Sequence, residues 1–280
     1  VSTPHDGVNP AARRSRNLLV TFLGAVVRRL GNWMPIAGTI ELTGELGLDE
    51  ASVRTAVSRL KKRGWLDPEV LDGVRGYRLT AHALDELAAG DEVIWHARQP
   101  ADLGDGWCVV NFSVPESART KRHQLRTHLA ALGFGNISAA VWIAPARMQD
   151  AATKAIAELD LLDHCALFAG SHVGGKDLRS LLHEAWDLSE IERSYAAFID
   201  AHQHLTEGSL LSAMPGDDAF VTYLGVVDRW RKLPYRDPGL PLEVLPEDWN
   251  GPIATALFEK LVAALEADAL VHAARHWTTR

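Results

Sequence analysis

Leu48-Asp49-Glu50-Ala51-Ser52-Val53-Arg54-Thr55-Ala56-Val57-Ser58-Arg59-Leu60-Lys61-Lys62-Arg63-Gly64-Trp65-Leu66 reads as one short helix with its own start and stop. Asp49 can accept from the free amides of a first turn, and Glu50 suits the positive end of the helix. Val53, Ala56, Val57 and Leu60 recur at helical spacing and make one narrow apolar face. The opposite face carries Thr55, Ser58 and Lys62, flanked by Arg54 and Arg59. Gly64 ends the helix, and Trp65-Leu66 starts an extended piece. Small hydroxyls and cations on an outward face suit a major groove, where hydroxyls reach base edges or phosphates and arginine pairs with guanine or phosphate. An ordinary solvated surface helix has the same pattern, so the flanking elements decide between the two.

Upstream, residues 17–30 place Leu19, Phe22, Leu23, Val26, Val27 and Leu30 at helical spacing, and Gly31-Asn32 closes that helix. Trp33-Met34-Pro35-Ile36 is extended, residues 37–46 form a short helix, and Gly47-Leu48 turns into the cationic helix. Helix, short helix, tight turn, helix is a helix-turn-helix plan. Downstream, residues 69–80 hold an Asp72-Gly73 turn between two extended arms, predicting a hairpin wing with Arg75, Tyr77 and Arg78. A helix over 81–97 through Leu84, Leu87 and Trp95 completes a winged helix-turn-helix domain over residues 11–97. Before it, residues 1–10 read as a mobile tail, and Arg13, Arg14 and Arg16 form a basic arm. Such an arm suits phosphate contact or a plain helix lead-in equally.

The totals agree with a local basic module. The 280-residue chain has a net charge of −7, yet residues 11–78 contain 12 Lys and Arg against 7 Asp and Glu. A basic head on an acidic body can bind nucleic acid locally while the body limits indiscriminate adhesion. Hydrophobic residues make up 47% and charged residues 23%, as in a soluble globular protein. No apolar run reaches the length of a membrane span, and no charged-then-apolar leader is seen. Cys108 and Cys165 sit in apolar runs with no metal spacing, so buried free thiols and a cytoplasmic location are expected.

Residues 98–106 read as a linker with Pro100, Gly104 and Gly106. A strand over 107–114 follows, then a helix over 116–132 with Leu125, Leu129 and Leu132 facing in. Ile137 and Val141-Trp142-Ile143 predict two short strands, residues 149–162 a helix and residues 164–169 a last strand. The order β-α-β-β-α-β over residues 107–172 is the ferredoxin-like plan. From 175 to 280 the chain reads as a mainly helical C-terminal domain, with helices over 178–188, 189–205, 219–233 and 253–276. The stretch 234–252 between the last two is irregular, with five prolines in 19 residues. The expected class is therefore α+β.

With these elements placed, the chain resembles the PaaX family of bacterial transcriptional repressors over nearly its whole length. The resemblance rests on Val53-Arg54-Thr55-Ala56-Val57-Ser58-Arg59-Leu60 with Gly64-Trp65-Leu66, on Phe112-Ser113-Val114-Pro115-Glu116, and on Gly133-Phe134-Gly135 with Val141-Trp142-Ile143. Its most distinctive part is Trp230-Arg231-Lys232-Leu233-Pro234, then Asp237-Pro238-Gly239-Leu240-Pro241, Leu245-Pro246 and Trp249. The resemblance implies a homodimer that binds palindromic operator DNA and represses genes for aromatic-acid catabolism. It further implies release by an aromatic acyl-CoA such as phenylacetyl-CoA, with other thioesters or aromatic acids open as effectors.

The expected DNA-binding set is Arg54, Thr55, Ser58, Arg59 and Lys62, with Arg75 and Arg78 on the wing. An acyl-CoA needs cations for its phosphates, an aromatic stack for adenine and an apolar slot for the acyl group. Arg119, Arg122, Arg126, Arg229, Arg231 and Arg236 offer the cations, and Trp186, Trp230 and Tyr235 the aromatic wall; surface cations and core aromatics explain each of them as well. His164, His172, His183, His202 and His204 show no ligand cluster at useful spacing, so no metal and no cofactor is expected. The competing class is a metal-dependent nuclease, because the central plan resembles the small nuclease-like proteins of CRISPR adaptation. Those place an aspartate near the end of the first strand, where this chain has Asn111 and Ser113 and no carboxylate before Glu116. A hard cation needs charged oxygen ligands, so hydrolysis is poorly equipped here, and no catalytic residue is expected.

Overall fold

The computed structural model describes residues 10–94, 99–211 and 213–277; the side chains of 10–14, 92 and 93 are not described. Residues 1–9 of the expected tail and Trp95 therefore lie outside the described residues, as do the side chains of Arg13 and Arg14. The chain is of the α+β class, with two small antiparallel sheets. It divides into two compact units, residues 1–92 with 199–231 and 255–280, and residues 93–198 with 232–254.

The first unit begins with α1 (Pro10–Phe22), whose run continues through a wider turn at Leu23–Val27. It buries Leu19, Phe22, Leu23 and Val26 completely, the face predicted from spacing. Strand β1 (Trp33–Pro35) follows, then α2 (Ile36–Glu45) and α3 (Glu50–Lys62). Strands β2 (Leu66–Leu71) and β3 (Val74–Leu79) form a hairpin, and α4 (Ala81–Ile94) closes the run. β3 is central, pairing antiparallel with β1 and with β2 in register from Leu66↔Leu79 to Leu71↔Val74. The hairpin turns on Asp72 (φ 50) and Gly73 (φ 81), the double left-handed conformation that a tight two-residue loop requires.

Two distant helices complete this unit, α9 (Gly216–Trp230) and α10 (Gly251–Arg275), the latter belonging to it from Thr255 onward. The α9 helix begins three residues before the expected Ala219, with Asp217 and Asp218 in its first turn at the positive end of the dipole. It buries Phe220, Tyr223, Leu224, Val227 and Trp230; Trp230 stacks on Phe258 with ring centroids 4.6 Å apart. Phe22 meets Phe220 edge-on at 6.4 Å. Phe258, Leu261, Leu265, Ala269 and Ala273 form the buried stripe of α10, spaced three or four apart as a helix in a core demands.

The second unit is built on the strands β4 (Trp107–Phe112), β5 (Gly135–Ser138), β6 (Val141–Pro145) and β7 (Cys165–Gly170). Helix α5 (Arg119–Ala131) joins β4 to β5, and α6 (Gln149–Glu158) joins β6 to β7. The sheet order is β5-β6-β4-β7 with all neighbours antiparallel. Cys108, Val110 and Phe112 point to a core shared with Leu125 and Leu129 of α5 and Ala152 and Ile156 of α6. On the other face Asn111 is exposed and Phe168 is 61% exposed. Both cysteines are free, and burial pushes both thiols above their usual range.

Helices α7 (Leu178–Ala185) and α8 (Leu188–His202, to Phe198 in this unit) follow the sheet. The proline-rich stretch joins the same unit through specific polar contacts. Tyr195 donates to Asp237 at 2.8 Å, Arg147 donates to the carbonyls of Gln99 (2.5 Å) and Gly239 (3.1 Å), and Asn250 donates from its backbone to Glu192 at 3.0 Å. Residues 175–280, read from sequence as one helical domain, are thus shared between the two units. The reason is packing: α9 packs against α1, α10 stacks on α9 through Phe258 and Trp230, and the proline stretch is held by α8 and Arg147.

Candidate nucleic-acid interface

The α3 helix starts on a formed cap. Asp49 accepts from the Ser52 amide at 2.9 Å and from its hydroxyl at 2.6 Å, and these two bonds hold its carboxyl below the usual range. Gly64 follows the helix at φ 74, where a side chain would be strained. Val53, Ala56, Val57 and Leu60 are buried, while Arg54, Thr55, Ser58, Arg59 and Lys62 are all exposed. One helix face thus anchors the element and the other presents two hydroxyls and three cations to solvent. Arg54 pairs with Glu50 at 2.7 Å with both side chains more than half exposed, a bond weak enough to exchange for phosphate. A shallow depression on this face is lined by Ser52, Thr55 and Arg59.

The hairpin adds a different set. Arg75 is exposed near the turn, whereas Arg78 donates to Glu69 at 2.7 Å and to the Gly31 carbonyl at 3.2 Å. Arg78 therefore braces the sheet. Spacing along the strand could not distinguish these two arginines, because the partner of Arg78 comes from the opposing strand. Exposed Lys61 and Arg63 extend the cationic surface of the helix and were not among the residues predicted to contact DNA; they lie next to Lys62 in sequence, and the basic run itself was the available signal.

The nine residues considered for an acyl-CoA divide between the units, Arg229, Trp230 and Arg231 in the first and the others in the second. Trp230 is fully buried against Phe258, so its indole serves the core and leaves no face for a ligand. Arg231 donates to the Asn17 carbonyl at 3.1 Å and to Asp228 at 3.2 Å, which joins the end of α9 to α1. Arg229 is exposed. In the second unit Trp186 donates to the Gly133 carbonyl at 3.1 Å, and its ring lies where a Gly135 side chain would be. Arg122 pairs with Glu116 at 2.7 Å, Arg236 with Glu190 at 2.9 Å, and Arg126 lies 6.0 Å from the Trp142 ring. Arg119 and Tyr235 are exposed. Asn111 and Ser113 occupy the end of β4 and the residue just beyond it, and neither can supply a carboxylate to a hard cation.

These features define an α+β protein that displays an exposed cationic helix, anchored by its apolar face beside a small antiparallel sheet. Three family models match successive parts of the chain: PaaX-like protein over residues 14–83, PaaX protein central Cas2-like domain over residues 100–182, and PaaX-like protein C-terminal domain over residues 186–275. The chain belongs to the PaaX family. It is similar to the transcriptional repressor PaaX of Escherichia coli (strain K12), with 25% identity over 255 residues covering 89% of this chain and 80% of that protein. Its fold is similar to that of an uncharacterized protein from Mycobacterium tuberculosis, at a TM-score of 0.59 and 22% identity over 93% of this chain and 98% of that one. Among the described residues, no helix is long and apolar enough to cross a membrane.

Proposed function

We propose that this protein is a DNA-binding transcriptional repressor of aromatic-acid catabolic genes, released from its operator by an aromatic acyl-CoA such as phenylacetyl-CoA. Residues 11–97 act as a winged helix-turn-helix in which α2, the turn at Gly47 and α3 form the reading element and β2–β3 the wing. The observation that carries this reading is the free face of α3: Arg54, Thr55, Ser58, Arg59 and Lys62 are all exposed, while the opposite face is buried. Thr55, Ser58 and Lys62 approach the groove floor, and Arg75 binds phosphate. The name of the Escherichia coli relative agrees with this role.

Residues 107–172 form a ferredoxin-like dimerisation and coupling scaffold; the strand order and the exposed Phe168 support that reading. A homodimer holds two reading helices at a spacing matched to operator half-sites. The effector, met by exposed cations of the second unit such as Arg119 and Arg126, favours an arrangement with the wrong spacing and lowers DNA affinity through a coupling free energy. The protein acts in the cytoplasm and is not an enzyme.

A titration of the full chain against DNA upstream of its own gene, with and without phenylacetyl-CoA, tests both levels. Tight, sequence-dependent binding abolished by the thioester is the expected result. Tight binding indifferent to the thioester would keep the repressor and reject the effector. No specific binding would overturn the reading and return attention to metal-dependent nuclease activity.

A further inference from the structure

Two histidines and two glutamates meet where the end of α10 crosses α2, within the first unit. His272 lies in the last turn of α10 and His276 just past its end, with the two rings 5.3 Å apart. Glu41 and Glu45 share a face of α2 with Gly38, at helical spacing. Gly38 makes the close crossing possible: a β-carbon there would collide with the His276 carbonyl oxygen and lie 3.0 Å from its carbon.

The donor atoms are arranged in two layers. His272 brings Nε2 to 3.0 and 3.1 Å from the two oxygens of Glu45. His276 turns Nε2 toward the same carboxylate at 4.0 Å and places Nδ1 3.0 Å from Glu41. Ligand atoms of Glu45, His272 and His276 all lie within 4.8 Å of one another. A tetrahedral ion with bonds of about 2.0–2.1 Å sets its ligands about 3.3 Å apart, so small side-chain rotations complete the geometry. The Phe220 ring, 5.6 Å from the His272 ring, limits the rotation of that imidazole. Side-chain exposures of 12% for His272, 25% for His276 and 27% for Glu45 leave the cluster sheltered yet reachable.

Paired His–Glu bridges account for His272 with Glu45 and for Nδ1 of His276 with Glu41, but not for the second nitrogen of His276. That ring gives one nitrogen to an outer carboxylate and directs the other at the carboxylate His272 already holds. A metal-bound histidine does this, because a second-layer carboxylate fixes its tautomer and makes its ligating nitrogen more basic. Two imidazoles and one carboxylate suit zinc and similar transition metals, not magnesium or calcium, which take oxygen shells.

We propose that Glu45, His272 and His276 bind one divalent zinc-type metal ion, with Glu41 as the outer carboxylate on His276 and a fourth position left for water. The bound ion fastens the last helix to α2, the helix that leads into α3. The site stands on its own geometry and does not depend on the repressor reading.

The test uses the full chain without an affinity tag, stripped with chelator and titrated with zinc chloride by calorimetry, with metal content measured after dialysis. One zinc per chain with sub-micromolar affinity is expected, undisturbed by excess magnesium, together with visible absorption typical of four or five ligands when cobalt replaces zinc. His272→Ala and His276→Ala should each abolish that binding. Glu41→Gln, which keeps all three ligands, should weaken it about 10- to 100-fold. Circular dichroism of each variant shows that its fold is retained. Failure of the wild-type chain to retain zinc would overturn the proposal, as would equal retention by the His272→Ala/His276→Ala double variant.

Discussion

Replacing Gly38 by alanine should destabilise the first unit although the site lies inside a helix, where alanine is normally the better residue. The added methyl would collide with the His276 carbonyl oxygen and stand 3.0 Å from the carbonyl carbon and 3.2 Å from the His276 Cβ. Relief requires the last turn of α10 to withdraw by about 1 Å, since carbon contacts are optimal near 3.5–4.0 Å. Overpacking of this kind costs about 1–3 kcal/mol. Withdrawal also strains the bond from Trp277 Nε1 to the Trp33 carbonyl (2.8 Å) and that between His276 and Glu41 (3.0 Å). Each is worth about 1 kcal/mol net. Against these stands a helix-propensity gain of about 1 kcal/mol for alanine over glycine. The balance is a loss of about 2–4 kcal/mol. Guanidinium unfolding of the full chain followed by tryptophan fluorescence measures it. Gly44→Ala in the same helix is the control: no atom lies within 4 Å of the added carbon, so it should stabilise by up to about 1 kcal/mol. If Gly38→Ala proves as stable as Gly44→Ala, the close crossing of α2 and α10 is wrong.

Arg75→Gln should reduce the slope of log affinity against log salt for operator DNA by about 0.9 while leaving sequence preference unchanged, and an unaltered slope would remove Arg75 from the phosphate contacts. Arg59→Ala, on the exposed face of α3, should weaken operator binding in the same titration, whereas unchanged binding would exclude it from the interface. Tyr195→Phe should cost about 1.5–3 kcal/mol in denaturant, because the hydroxyl donates to the Asp237 carboxylate at 2.8 Å. Desolvation, followed by the Asp237 charge, raises the Tyr195 pKa, so the phenol remains a donor throughout the neutral range. The Asp49 carboxyl is held below its ordinary value of 3.8 by the Ser52 hydroxyl and amide. The folded pKa is depressed, so the cap's contribution is complete above that ordinary value and is lost as pH falls through the lower folded one. The Ser52 amide shift, followed by NMR during acid titration, should have its midpoint below 3.8, and a midpoint at or above it would show that the cap is not formed.

Much of α3 and the β2–β3 hairpin was legible in the chain itself because their determinants are local. The apolar period of Val53, Ala56, Val57 and Leu60 specifies which side of α3 is buried, and Asp49 and Gly64 mark its ends. Asp72-Gly73 specifies the hairpin turn, since it supplies the two left-handed residues the turn needs. Alternation and helical period likewise revealed the order of the four strands and two helices from Trp107 to Gly170. Each of these signals lies within one turn, one strand or one loop.

Tertiary structure alone decided which cations remain free. Arg75 and Arg78 are three apart on one strand, yet Arg78 is held by Glu69 across the hairpin. Arg231 and Trp230 have the residue types an anionic, aromatic ligand requires, but contacts with Asn17, Asp228 and Phe258 place them in the frame of the first unit. The same holds for the histidine–glutamate cluster at the end of α10. His272 and His276, four apart in the chain, were not among the histidines weighed from sequence, and their carboxylate partners on α2 lie 227 and 235 residues away. Residue type and local period determine what a segment can become and which face it buries. Long-range packing determines which groups meet across such distances, and therefore whether a charged side chain is free to bind a ligand or is already held inside the protein.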